Sequence, residues 1–108
     1  MKWLEIIKIR SVEMLGKSVI SDLVHQFGKL GTSPKPSGIF MYHHAKLMTD
    51  LCIHIHWDTK DIYFNKSVIG GHIAHALKDF GLVSHSVWIS DDIESFQIKV
   101  PSKMEKKI

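Results

Sequence analysis

Several residue types that mark particular classes of protein are scarce in this chain. Cys52 is the only cysteine, so no disulfide can form within the chain, as is typical of proteins from a reducing compartment. Arg10 is the only arginine, although phosphate and base recognition favour arginine over lysine. The formal charge is only +3, and we interpret the basic residues 101–108 as a solvated tail. We therefore predict no nucleic-acid partner.

Long apolar segments and familiar catalytic motifs are missing as well. No apolar run approaches the roughly 20 residues that cross a membrane. Glu5 and Lys8 interrupt the apolar N-terminus before it could form a signal-peptide core. The chain has no glycine-rich phosphate loop, nucleophile elbow or zinc-finger spacing. We predict a cytoplasmic protein that has no membrane contact and needs no cofactor.

The most informative stretch is residues 50–59, which has the alternating pattern of a central β-strand. Successive side chains of a strand point to opposite faces. One face of this strand is apolar and predicts the core side; it carries Leu51, Ile53, Ile55 and Trp57. The other face carries Cys52, His54 and His56, groups that occur both in functional sites and in ordinary polar cores.

The rest of the chain alternates between strand and helix patterns. Strands are predicted at residues 3–12, 39–46 and 82–90, helices at 18–30 and 67–80, and a short edge strand at 95–100. The resulting order, β-α-β-β-α-β plus an extra C-terminal strand, predicts an α+β ferredoxin-like sandwich. We therefore expect one domain over residues 1–100, with an antiparallel sheet and both helices on one of its faces.

The sheet face opposite the helices carries Cys52, His54, His56 and Trp88 in this arrangement. Uncovered, this face would be a large exposed patch. We predict a homodimer in which two such faces meet. Acid that charges histidines buried between the subunits should then open the dimer.

Two sequence segments resemble those of a known family: Cys-Ile-His-Ile-His-Trp-Asp at residues 52–58 and Phe-Gly-Leu-Val-Ser-His-Ser-Val-Trp-Ile at 80–89. Together with the element order over residues 3–90, they make the chain similar to the dimeric α/β-barrel superfamily, which includes antibiotic-biosynthesis-monooxygenase-like proteins. The resemblance implies a ferredoxin-like protomer, a dimer formed through the sheets, and a pocket between sheet and helices or inside the barrel. Members include cofactor-free monooxygenases and haem-degrading enzymes; the Asn, His and Trp residues of the latter have no assigned counterparts here.

Three hypotheses follow for the histidine face. The first is a small dimeric protein that binds a hydrophobic or aromatic ligand in a His-lined pocket. The second is a cofactor-independent monooxygenase or isomerase with His54 or His56 as acid or base, and the sequence leaves open whether the protein is an enzyme. The residues assigned to ligand binding are Ile6, Tyr42, Cys52 and Trp88. The third is a metal site of His54 and His56, completed by His43 or His44.

Other notable residues have simpler interpretations. His85 shares a face with Val87 and Ile89, so we expect a hydrogen-bonded core histidine. His72 and His75 lie off the apolar stripe of the second helix and should face solvent. The pair Gly70-Gly71 in the first turn of that helix indicates a close backbone approach.

Overall fold

The computed structural model describes residues 1–13, 16–28, 35–61 and 67–90. Its strands are β1 (Lys2–Ser11), β2 (Gly38–His43), β3 (Asp50–Asp58) and β4 (Gly81–Ile89), and its helices are α1 (Lys17–Gly28) and α2 (Val68–Leu77). The predicted edge strand at 95–100, the tail at 101–108 and the predicted end of the first helix at 29–30 lie outside the described residues.

The four strands form one sheet in the order β2-β3-β1-β4, and every neighbouring pair is antiparallel. The predicted α+β class is confirmed: a four-stranded antiparallel sheet carries two helices. This strand order is compatible with a small ferredoxin-like fold. It makes β1 and β3 the central strands and leaves β2 and β4 at the edges.

Alternation along β1 and β3 sends the odd-numbered side chains to the face that the helices cover. The core combines them with residues of both helices: Trp3, Ile7, Ile9, Ile20, Leu51, Ile53, Ile55, Trp57, Ile69, Ile73, Ala74 and Leu77. The rings of Trp3 and Trp57 stack at one end, with centroids 5.3 Å apart. The predicted core face of β3 is therefore confirmed, and both helices share one side of the sheet.

Helix α2 begins and ends through local hydrogen bonds. The Ser67 hydroxyl caps the first turn by accepting the Gly70 N–H at 2.9 Å. The Lys78 N–H donates to the His75 carbonyl and the Phe80 N–H to the Leu77 carbonyl, so the helix tightens and stops at Leu77. The predicted end at residue 80 was therefore three residues too far. Among the described residues, no helix has the length and hydropathy required to cross a bilayer.

Strand β2 ends at His43, whereas the sequence predicts its end at residue 46. His44 accounts for the difference, because its Nδ1 accepts the backbone N–H groups of Lys46 and Leu47, both at 3.0 Å. The Asp50 N–H then donates to the Leu47 carbonyl. These bonds form a turn directly after β2, and β3 begins at Asp50.

Candidate functional site

The even-numbered residues of the strands lie on the face opposite the helices, which we call the open sheet face. Its central members are Leu4, Ile6, Lys8, Arg10, Phe40, Tyr42, Cys52, His54, His56, Leu82, Ser84, Ser86 and Trp88. Large side chains on it are strongly exposed: 57% for Trp88, 51% for Tyr42 and 49% for Phe40. Exposed aromatic surface of this extent indicates a contact surface or a binding surface.

The structure brings all of the predicted site residues onto this face. Ile6 pairs with His54 across the β1–β3 ladder, and Tyr42 pairs with Cys52 across β2–β3. His56 and Trp88 lie on opposite sides of Leu4, one on β3 and the other on β4. The sheet register therefore places the predicted site residues on neighbouring strands of the open sheet face.

Aromatic rings of β2 pack on the imidazoles of β3. Phe40 contacts His56 edge-on, with centroids 5.0 Å apart and an interplanar angle of 80°. The rings of Tyr42 and His54 are tilted, with centroids 4.9 Å apart. Both histidines are consequently half-buried within the protomer. Trp88 is more open, and its indole N–H donates to the Ser86 hydroxyl at 2.8 Å.

Burial and nearby positive charge affect the protonation of the row formed by Cys52, His54 and His56 on β3. Burial, together with the charges of His56 and Lys8, lowers the pKa of His54. Burial raises the pKa of the Cys52 thiol, and the Lys8 ammonium only partly opposes that effect. At neutral pH the row therefore presents a neutral imidazole that can accept a proton. Cys52 is a protonated thiol, which is a poor nucleophile.

The geometry of the histidine pair bears on the metal hypothesis. The ring centroids of His54 and His56 are 6.3 Å apart. Two imidazoles on one tetrahedral zinc ion would have centroids roughly 5 Å apart. Within the described parts of the chain, no three His, Cys, Asp or Glu side chains come together as a metal site. Metal binding would require the two rings to turn toward each other.

A second polar cluster lies on the covered face, beneath the N-terminus of α2. Glu5 is 0% exposed, and its Oε1 accepts the Ser67 N–H at 3.1 Å. Its Oε2 lies 2.5 Å from Nε2 of His85. The prediction that His85 is a hydrogen-bonded core histidine is confirmed. Its partner Glu5 was missed, although Glu5 shares the odd-numbered face of β1 with Ile7 and Ile9.

Opposing effects act on the Glu5 carboxyl. Burial alone would raise its pKa, but the hydrogen bonds from His85 and Ser67 and the charge of the His85 ring outweigh burial, so the pKa is lowered. The carboxylate also lies at the N-terminus of α2, where the helix dipole favours negative charge. Because Glu5 is closed off from solvent, we assign this cluster to structure and not to ligand binding.

Open clefts occupy the two ends of the open sheet face. One, of about 560 Å³, is lined by Lys8, Arg10, Tyr42, His44 and Cys52, among others. The other, of about 600 Å³, is lined by Leu4, His56, Trp88 and their neighbours. Tyr42 and Cys52 thus border one cleft and His56 and Trp88 the other, whereas Ile6 and His54 lie between the two clefts and line neither.

Comparison with protein-family models, curated proteins and solved structures finds no match to this chain. Its function is therefore argued from the geometry of the open sheet face.

Proposed function

We propose that this chain is a ferredoxin-like protomer of a dimeric α/β barrel, in which two open sheet faces meet and enclose a His-lined pocket for a small hydrophobic or aromatic ligand. The observation that carries the proposal is the cluster of half-exposed aromatic rings over paired imidazoles on a sheet face that no described element covers. The strand order β2-β3-β1-β4 supports the ferredoxin-like part of the proposal.

The apolar content of the face supports dimerisation. Phe40, Tyr42 and Trp88 belong to the residue types that are enriched in the centres of protein interfaces. Leu82, at 77% exposed, extends this surface along β4. A twofold contact buries the same patch on both subunits, so one self-complementary face suffices.

The polar content supports ligand binding between the sheets. Ligand pockets combine apolar walls with a few placed polar groups. Leu4 and Ile6 would provide the wall from β1, while His54 and His56 would provide the polar groups from β3. Their aromatic neighbours Phe40 and Tyr42 favour a flat, apolar ligand, because aromatic rings associate by stacking and edge-on contact.

A second candidate function is catalysis by proton transfer, as in a cofactor-independent monooxygenase or isomerase. The specific observation in its favour is the lowered pKa of His54, which keeps a neutral imidazole available at neutral pH. In this role His54 would accept a proton from the bound aromatic compound, and His56 would be the neighbouring acid or base.

The dimer is tested by native mass spectrometry and light scattering of protein purified without a metal column. We expect twice the 12.4 kDa protomer mass at micromolar concentration. Trp88→Ser should weaken the dimer at least about fivefold, because truncating an aromatic residue that anchors an interface typically costs more than 1 kcal/mol. Val68→Ser is the matched control, because Val68 is 60% exposed on α2, away from the open sheet face. A wild-type protein that remains monomeric at tens of micromolar would contradict the dimer.

Ligand binding is tested separately with 2-naphthamide, a flat neutral probe, by titration calorimetry. We expect saturable binding to the wild-type protein, which Ile6→Ser should weaken several-fold because Ile6 is directly opposite His54. A folded dimer with no measurable affinity for the probe would contradict the pocket.

A further inference from the structure

We infer that the ligand of the open sheet face carries a carboxylate, held by Lys8 and Arg10 at one end, while its apolar body lies over the aromatic and imidazole rings. The inference rests on the proposed function, because it specifies the chemical class of ligand for the same face. It follows from a change from apolar to cationic side chains along β1: Asp50 on β3 lies opposite Arg10, whereas no carboxylate lies opposite Lys8, so Lys8 is the main contact for the anion.

The open face of β1 changes from apolar to cationic along its length. Leu4 and Ile6 are half-buried and apolar, whereas Lys8 and Arg10 are exposed and charged. Alternate residues of a strand are about 7 Å apart, so Leu4 and Lys8 are separated by roughly 14 Å. A flat molecule with its acidic substituent at Lys8 would place its rings over Ile6, between Lys8 and Leu4.

Lys8 has no charged neighbour across either ladder. It pairs with Cys52 on β3 and with Ser84 on β4. No described carboxylate forms an ion pair with it. Its positive charge nevertheless reaches the middle of the face, since it acts on the titration of both Cys52 and His54. An anion bound there would therefore meet an ammonium group that has no competing partner among the described residues.

Arg10 and His44 add donors to the same cleft. Arg10 Nε is 3.6 Å from Asp50 Oδ2, and its side chain is 72% exposed, so the guanidinium is only loosely held. The Nδ1 of His44 accepts two backbone N–H groups, which places the proton of the neutral ring on Nε2. His44 therefore presents an N–H donor to the cleft of about 560 Å³, which Lys8, Arg10 and the Asp50 carboxylate also line.

The opposite end of β1 provides a contrast on the same face. Lys2 pairs directly with Asp58 on β3, and Asp58 also accepts a hydrogen bond from the Met1 amino group at 3.3 Å. A lysine with a carboxylate across the ladder is a weaker site for a second anion. Lys2 and Lys8 are thus a matched pair of lysines on the same strand and the same face. They differ in that a carboxylate lies across the ladder from Lys2 but not from Lys8.

The test compares 2-naphthoate with 2-naphthamide, which share one ring system and differ in charge. Calorimetric titrations use wild type, Lys8→Met and Lys2→Met in low salt. We expect wild type to bind the acid about three- to tenfold more tightly than the amide, the range expected for a partly exposed charge-assisted contact. In Lys8→Met most of the preference should be lost through weaker binding of the acid, with amide affinity unchanged. Lys2→Met should retain the preference.

The possible results separate this inference from the proposed function. Equal affinity of wild type for acid and amide would overturn the carboxylate inference and leave the aromatic pocket intact. Loss of the preference in Lys2→Met but not in Lys8→Met would overturn it as well. Failure of both probes to bind a folded wild-type protein would overturn the pocket and the inference together. A preference for the acid that weakens as salt is raised would support the charge contact.

Discussion

At the scale of single residues, the packing around Gly70 leaves no room for a side chain. A Cβ atom on Gly70 would overlap Glu5 Oε2 and lie 2.9 Å from Glu5 Cδ and 3.1 Å from His85 Cε1. Glu5 has little freedom to move away, because Ser67 and His85 hold its two oxygens. Glycine is therefore required here for close packing between α2 and β1, and not for an unusual backbone angle.

Gly70→Ala should lower the free energy of unfolding by about 2–4 kcal/mol, because the added methyl group displaces the buried Glu5 carboxylate from Ser67 and His85. Gly71→Ala is the matched control: a Cβ there meets nothing within 4 Å, and alanine favours the helix by up to about 1 kcal/mol. Urea unfolding followed by tryptophan fluorescence measures both. Equal stability of the two variants would contradict this account of Gly70.

Residue patterns predicted the two faces of the sheet better than the polar contacts made on them. Alternation in residues 50–59 correctly assigned the core face and placed Cys52, His54 and His56 opposite it. The burial of Glu5 was missed because its partners are far away in sequence: Ser67 follows Glu5 by 62 residues and His85 follows it by 80. Strand periodicity alone does not show which charged residue acquires such partners.

At the scale of elements, the Glu5 carboxylate joins three of them. It lies on β1, accepts the N–H of the residue that caps α2, and contacts His85 on β4. The ends of elements depend on polar contacts of this kind, which hydrophobic periodicity does not report. His44 illustrates the same limit, because its ring stops β2 where the apolar pattern would have continued. Existence and order of the described elements were therefore predictable, and their exact ends were not.

Glu5→Gln should lower the stability at pH 7 by about 1.5–3 kcal/mol, the usual contribution of a hydrogen bond to a charged group. The pKa of Glu5 is lowered in the folded state. Its ionisation therefore stabilises the fold above the unfolded pKa of about 4.3, and this contribution is lost as the pH falls through the folded value. The stability difference between wild type and variant should consequently shrink below about pH 4.

Urea titrations at several pH values between 7 and 3 measure this difference. Glu13→Gln is the control, because Glu13 is exposed just beyond β1 and its substitution should change stability by less than about 0.5 kcal/mol. A difference in the free energy of unfolding between wild type and Glu5→Gln that stays constant from pH 7 to 3 would contradict the assignment of a stabilising charge to Glu5.

At the scale of the whole molecule, the sheet has two faces of different chemistry. The helices cover one face, on which Ser67 and His85 hold the buried Glu5 carboxylate. The open sheet face keeps its aromatic rings, imidazoles and lysine available to a partner or ligand. The proposed dimer would enclose both histidine pairs, so proton binding and association should be linked.

This linkage predicts that acid weakens the dimer. The pKa of His54 is already lowered in the protomer, and burial between two sheets would lower it further, so protons bind preferentially to separated subunits. The dimer dissociation constant should rise several-fold between pH 7.5 and 5.5, which sedimentation equilibrium measures. His54→Gln should remove much of that dependence, whereas His25→Gln should retain it, because His25 is exposed on α1. A wild-type dissociation constant that stays unchanged down to about pH 5 would show that these imidazoles are not enclosed between the subunits.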